Sequence, residues 1–302
     1  MSIPTAERAR IELATARAGV EAALEAVCDR YLYALPPGVG EAVRYSLMGE
    51  GKRLRPLLVL AAYHACGGEG DAYPLAASVE IVHAYSLVHD DLPCMDDDIV
   101  RRGRPTTHRI FGPRVATVAG VAMVPLAARA AADSARSLGL PPASRRAIVR
   151  ELMRASGAGG MVGGQLLDLE GEGRSLTLPE LERVHTAKTG ALIAASVRIG
   201  GIAAGADARQ SRALERYGET VGLAFQIADD VLDATSTTAA LGKTAGRDAA
   251  LGKSTYPALL GVDGAVARAA RLAEEGRSAL EEGGLLTPEL ARLASFVVDR
   301  KS

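Results

Sequence analysis

A chain of 302 residues with 48% hydrophobic and 24% charged content has a globular balance, which excludes wholesale disorder. Alanine occurs 56 times while Phe, Tyr and Trp together make 4%, a composition that favours helix over strand. A formal net charge of −1 offers no basic field to a nucleic-acid backbone, and three scattered cysteines (Cys28, Cys66, Cys94) form neither a disulfide framework nor a zinc cage.

The first residues, MSIPTAERARIELATARAGVEAAL, space acids and bases helically and carry no apolar signal core, so a soluble, cytoplasmic chain is expected. Helices are predicted over Leu57–Cys66 and Val79–Leu92, the second apolar nearly all round and therefore buried on most sides. Val115–Ala128 is the longest weakly polar run. At fourteen residues it falls short of the ~20 that a membrane span needs, and it reads as a core helix kinked or broken at Pro125. Further helices are predicted over Arg145–Gly157, Leu178–Ile202 and Arg209–Asp233. Start signals stand at Thr177, before Pro179 and Glu180, and at Thr287, before Pro288 and Glu289. No stretch alternates as a strand should. The sequence reads as one all-α domain over residues 1–302, a bundle of ten or more helices with no membrane span.

The acids are distributed unevenly. Asp90, Asp91, Asp96, Asp97 and Asp98 put five carboxylates within nine residues at the end of an apolar helix. Carboxylates this close repel one another, and at a helix C-terminus they also oppose the helix dipole. A plain acidic loop leaves both costs standing, whereas a hard cation such as Mg²⁺ relieves them. A second group, Asp229, Asp230 and Asp233 in FQIADDVLD, ends another apolar helix, with 229 and 233 on one face.

Bases complement them. Lys52, Arg53 and Arg55 precede one buried helix, Arg101, Arg102 and Arg104 follow the first acidic cluster, and Lys188-Thr189 interrupts a helix. Lys243 and Lys253 stand in Gly-Lys contexts without the spacing of a P-loop. Cations that hold phosphate oxygens beside acids that hold bridging metals form a coherent set. His83, seven residues before Asp90, shares its helix face; His89 is on the same helix, and Gln165 and Gln226 are possible phosphate donors.

The ordered motifs GKRLRP, HAYSLVHDDLPCMDDD, RRGRPTTH, GGQLLDL, KTGALI, FQIADDVLD and LGKSTYPALLG, from about residue 40 to residue 262, resemble the trans-isoprenyl diphosphate synthases, above all the bacterial short-chain farnesyl type. The resemblance implies an all-α fold with a central cavity, two aspartate motifs facing each other across it, and a homodimer. It also implies three Mg²⁺, with Mn²⁺ as a substitute, and small diphosphate substrates. An allylic diphosphate, dimethylallyl or geranyl, ionises, and its cation is attacked by the double bond of isopentenyl diphosphate before a proton is lost. The departing diphosphate is the expected proton acceptor.

Carried over by motif, Asp90, Asp91, Asp96 and Asp97 resemble the first metal motif, with Asp90 and Asp96 as direct ligands. Asp229 resembles the second ligand, supported by Asp230 and Asp233. Lys52, Arg55, His83 and Arg102 resemble the isopentenyl diphosphate holder. Arg101, Lys188, Thr189, Gln226, Lys243 and Lys253 resemble the allylic diphosphate contacts. The group taken as catalytic is Asp90, Asp91, Asp96, Asp229, Lys188 and Arg101.

Tyr85, five residues before Asp90 with Ser86 next, is the expected floor for the growing chain, and its ring implies a C15 product. The alternative is a geranylgeranyl diphosphate synthase, the same chemistry stopped later. A silent partner subunit should have lost one acid motif, and both are present. A terpene cyclase would need no second diphosphate holder. The chain departs from the family pattern at Val121, where Asp is usual, and around Arg247-Asp248.

Overall fold

The computed structural model describes residues 5–235 and 253–298, with side chains from residue 13 onward. Lys243, Arg247 and Asp248 therefore lie outside the described residues. The elements run α1 Thr5–Tyr31, a 3-10 turn Leu32–Ala34, α2 Pro37–Leu47, α3 Leu54–Ala65 and α4 Tyr73–Asp90. A hairpin follows, β1 Val100–Arg101 and β2 Arg104–Pro105, then α5 Thr107–Phe111, α6 Pro113–Ser137 and α7 Pro142–Ser156. Next come α8 Met161–Gly171, α9 Leu178–His185, a π-helical turn Thr186–Gly190, α10 Ala191–Ala204 and α11 Ala208–Thr235. The last two are α12 Tyr256–Gly283 and α13 Pro288–Val298. The fold is all-α, as the composition implies; the two-residue strands pair antiparallel and form the one sheet among the described residues. The chain divides into two compact units, Met1–Leu60 with Glu69–Val149, and Ala61–Gly68 with Arg150–Ser302.

In the first unit α4 packs on α6, α1 and α2. Leu75 to Val82 are buried without interruption, followed by Ala84, Tyr85 and Val88, so this helix is enclosed on nearly every side as its sequence predicts. Each fully buried Val, Leu or Ile contributes roughly 1.5–3 kcal/mol relative to exposure. The matching face of α6 is built from small residues, Ala116, Ala119, Gly120, Ala127, Ala130 and Ala131, which let the helix axes approach. A Cβ on Gly120 would stand 2.1 Å from His89 Nε2, so any side chain there would have to displace the His89 ring where α6 passes α4.

Two expectations for this helix need correction. α6 runs on through Pro125 to Ser137 without a break. Pro125 and Val121 lie on its exposed face, so the backbone hydrogen bond that proline removes is lost at the surface and not inside the core. Nor is α6 a core helix all round: Val118 and Val121 are 51% and 59% exposed. Among the described residues it is the one helix long and apolar enough to cross a membrane by length and composition. Arg114, Arg129, Asp133 and Arg136 along it, with Asp133 accepting from Tyr31 Oη at 2.8 Å and Arg136 at 2.9 Å, mark a polar side.

In the second unit α11 packs on α12 and α10, and Tyr217 Oη donates to Leu290 O at 2.8 Å, tying α11 to α13 inside the core. α9 opens at the predicted start signal, with a capping box: Glu180 accepts from the Thr177 backbone N–H at 2.8 Å and from its hydroxyl at 2.7 Å. The predicted Leu178–Ile202 helix is wound without a gap but changes pitch. Thr186–Gly190 winds as a π turn at the point where Lys188-Thr189 was expected to interrupt it, and such wide turns recur at functional sites. All three cysteines are free thiols, and burial pushes those of Cys28 and Cys66 up to about 11, which suits structural roles.

Candidate active site

Each unit carries one half of the predicted residue set. In the first, α4 ends at Asp90 and the chain folds back on itself, with Asp96 N donating to Asp90 O at 2.8 Å and Asp97 N to Leu92 O at 3.1 Å. This brings the backbones of the two expected direct ligands together. Asp97 adopts a left-handed conformation, φ +50°, unusual for a residue with a side chain and of the kind that collects at functional sites.

The β1–β2 hairpin then turns the basic run back onto the acids. Its two central residues, Arg102 and Gly103, have φ of +54° and +73°, the mirror-image turn that suits the twist of a tight hairpin. Thr106 Oγ1 donates to Asp98 O at 2.7 Å and locks the hairpin base to the acidic loop. Arg101 Nε donates to Asp91 at 2.6 Å and its Nη2 to Asp98 at 3.1 Å. Asp91 is only 3% exposed, and burial pushes its carboxyl up to about 6 against the opposing pull of Arg101. Burial opposes the charge of Arg101 too, but Asp91, Asp98 and Asp90 outweigh it and raise its pKa.

Arg102 reaches the other way, donating to Glu50 O at 2.7 Å and to His83 Nε2 at 3.3 Å. The second bond needs an unprotonated ring. Burial, then Arg55, Arg102, Arg101 and Arg53, hold the His83 pKa well below the ordinary histidine range, so the ring is neutral at pH 7. Lys52 is exposed and Arg55 half-buried. Their neighbour Arg53 differs: left-handed at φ +51° and buried, it donates to Glu80 at 2.8 Å, Leu47 O at 3.1 Å and Gly49 O at 2.7 Å. Arg53 therefore fixes the junction between the loop that carries Lys52 and the first turn of α3 that carries Arg55. Glu80 escapes sequence reading, although a single acid inside the run Val79–Val82 is the signal that could have found it.

Tyr85, the expected chain-length residue, is buried and meets the His89 ring edge-on at 5.4 Å, while His89 Nε2 bonds Thr117 O at 3.1 Å. Ser86 Oγ donates to His83 O at 2.8 Å.

In the second unit, Gly164 lets α8 abut the π turn: a Cβ there would stand 2.1 Å from Lys188 N. Lys188 Nζ reaches back to Asp168 at 2.6 Å, and Lys253 Nζ reaches the same oxygen at 3.0 Å. Thr189 Oγ1 donates to Gln226 Oε1 at 2.8 Å, and Gln226 Nε2 donates to Asp230 at 3.1 Å. Asp230 also accepts from Tyr256 N at 3.1 Å and lies 3.4 Å from His185 Nε2, whose ring stacks on Tyr256. Both oxygens of Asp230 thus face protein donors, tying α11 to the start of α12 and to the π turn. Asp229 is half-buried and Asp233 buried, one turn apart on α11. Asp168 and His185 are the contributors that the sequence reading left without a role. GGQLLDL, which contains Asp168, was the available signal.

The donors offered by both acid groups are carboxylate oxygens, the chemistry of a hard divalent cation. Among the described residues no three His, Cys, Asp or Glu side chains stand close enough to cage a metal alone. Mg²⁺ needs no such cage, because it combines one or two carboxylates with water and substrate phosphate, and the residues present fit it.

The polyprenyl synthetase family model matches residues 36–281. The chain belongs to that family. It is 45% identical over 283 residues to the farnesyl diphosphate synthase of Escherichia coli, covering 90% of this chain and 93% of that one. It is 41% identical over 283 residues to the farnesyl diphosphate synthase of Geobacillus stearothermophilus, covering 92% and 94%. Among solved structures it resembles a geranyltransferase from Helicobacter pylori in complex with magnesium and isoprenyl diphosphate, with a TM-score of 0.81, 29% identity, and coverage of 99% of this chain and 98% of that one.

Proposed function

We propose that this polyprenyl synthetase is a farnesyl diphosphate synthase that joins isopentenyl diphosphate to dimethylallyl and then geranyl diphosphate, releasing inorganic diphosphate at each step. The observation that carries this reading is the division of the basic residues. Arg101 is held on the acids by Asp91 and Asp98, whereas Arg102 is turned away to Glu50 and His83, on the side of the loop that leads into α3. One diphosphate is to be ionised beside metal ligands, and the other is to be gripped by cations alone and left intact.

Asp90, Asp96 and Asp229 are the proposed direct ligands of three Mg²⁺, with Asp91, Asp97, Asp230 and Asp233 supporting them. Bound Mg²⁺, or Mn²⁺ in its place, neutralises charge on the diphosphate leaving group. Arg101, Lys188, Thr189, Gln226 and Lys253 bind the allylic diphosphate, and Lys243 is assigned with them by motif. As the allylic C–O bond breaks, its electron pair leaves with the diphosphate, and fixed cations stabilise that growing charge. Lys52, Arg55, Arg102 and the neutral His83 orient isopentenyl diphosphate, whose double bond supplies the electrons of the new C–C bond. The proton then lost goes to the departed diphosphate. The buried Tyr85, beside His89, limits the product to C15.

We propose further that residues 1–302 work as a single catalytic domain, as a cytoplasmic homodimer. The test is the purified protein with Mg²⁺, isopentenyl diphosphate and, separately, dimethylallyl, geranyl and farnesyl diphosphate, with extracted products sized by chromatography. Accumulation at C15 from the first two supports the reading. Accumulation at C20 replaces the product assignment, and no prenyl product from any substrate rejects the function.

A further inference from the structure

Asp168 on α8 is held by two lysines from distant parts of the chain, Lys188 at 2.6 Å and Lys253 at 3.0 Å, both to the same oxygen. Burial alone would raise this carboxyl, but the two ammonium groups and their hydrogen bonds outweigh it and hold its pKa below the usual carboxylate range. Neither lysine arrives by chance. Gly164 brings α8 against the backbone of Lys188. Lys253 is delivered by a segment fixed at two points: Ser254 Oγ accepts from Leu176 N at 2.9 Å and donates to Arg174 O at 3.1 Å, and Tyr256 N donates to Asp230 at 3.1 Å. Gln165, one turn before Asp168 on the same face, is buried with both amide atoms lacking a hydrogen-bond partner. A buried unpaired amide is costly, and it marks this face of α8 as one built to meet a further polar group.

We propose that Asp168 is the positioning residue of the allylic diphosphate site, gathering the Lys188 and Lys253 ammonium groups at one point so that they are already aimed when leaving-group charge develops. The inference rests on the functional reading above. Two long flexible side chains of like charge repel and sample many rotamers when left alone. Asp168 is the carboxylate shared between them and relieves both penalties before substrate arrives, while Glu172, 3.4 Å from Lys253 Nζ, adds a second acid on that lysine alone. An ammonium has three protons and its bond to Asp168 uses one, so Lys188 keeps donor capacity for phosphate oxygens. Charge bookkeeping fixes the sign of the effect. Asp168 lowers the net positive charge facing a diphosphate, so it weakens ground-state attraction while improving the geometry that matters in the transition state.

Asp168→Asn keeps the shape and removes the charge. Its kcat should fall at least about tenfold while KM for geranyl diphosphate stays within about threefold or drops, the split expected of a group acting in the transition state. Calorimetry with inorganic pyrophosphate in the absence of metal should show Asp168→Asn binding as tightly as wild type or more so. Asp168→Glu should regain part of the lost kcat. Three results would overturn the proposal: an unchanged kcat, a fall in kcat matched by equally weakened pyrophosphate binding, or a shifted Mg²⁺ requirement that makes Asp168 a metal ligand. A wild-type protein without prenyl product rejects the functional reading alone, because the pyrophosphate experiment still reports on Asp168.

Discussion

Replacing Arg53 by Met tests how the isopentenyl diphosphate loop is held. Arg53 and Glu80 are both buried and meet at 2.8 Å, and Arg53 also satisfies the carbonyls of Leu47 and Gly49. Removing one partner of such a pair strands the other charge in a low-dielectric interior, at a cost of ~3–5 kcal/mol. At ~2–4 °C per kcal/mol for a chain of this size class, the midpoint should drop by ~6–20 °C. The double variant Arg53→Met/Glu80→Met removes both charges and leaves only the two carbonyls short of a donor, at ~1 kcal/mol each. It should therefore recover ~1–3 kcal/mol of the loss. Thermal unfolding gives the midpoints and urea unfolding the free energies of all three proteins, both followed by far-UV circular dichroism. If Arg53→Met lies within ~1 kcal/mol of wild type, or the double variant is no better than the single, the pair does not anchor the loop in the way described.

Tyr85→Ala empties a buried site beside His89 and should shift the product distribution from C15 toward C20 or longer; an unchanged distribution removes Tyr85 from length control. Acid should weaken the first unit through His83. Its folded pKa lies below the unfolded value of ~6.5, so the unfolded chain takes up the proton first. The stabilisation is complete above the unfolded pKa and is lost as pH falls from there toward the folded pKa. Between pH 7 and pH 5, wild-type stability in urea should decline more steeply than that of His83→Gln. Equal slopes would show that folding leaves the His83 pKa unshifted, against the depression that its burial and the surrounding arginines impose.

Local patterning explains what the sequence reveals and what it conceals. α4, α7, α10 and α11 follow from apolar spacing because burial of one helix is written along that helix, and the Thr177–Glu180 cap is legible because its partners are three residues apart. Both aspartate groups are legible for a different reason: like charges concentrated beside apolar residues are costly unless something compensates them. Arg53–Glu80 joins residues 27 apart and Lys253–Asp168 residues 85 apart, and no local period encodes such meetings. The run GKRLRP thus looks like three equivalent cations, whereas the structure sends the middle one inward. The uneven burial of α6 escapes for a related reason. Its alanines and valines are apolar on every side, so composition cannot tell the packed Ala119 face from the exposed Val118–Val121 face. The π turn at Lys188 has no periodic signature at all.

The most direct measurement is release of inorganic diphosphate from geranyl diphosphate and isopentenyl diphosphate as Mg²⁺ is titrated, with Asp90→Asn and Asp229→Asn run alongside wild type. Wild type should release one diphosphate per farnesyl chain formed and stop when the metal is chelated, and each variant should lose ~10²-fold or more in kcat, the scale of removing one stabiliser of leaving-group charge. Full turnover in the presence of chelator, or by either variant, would contradict a chemistry in which these carboxylates carry the metal.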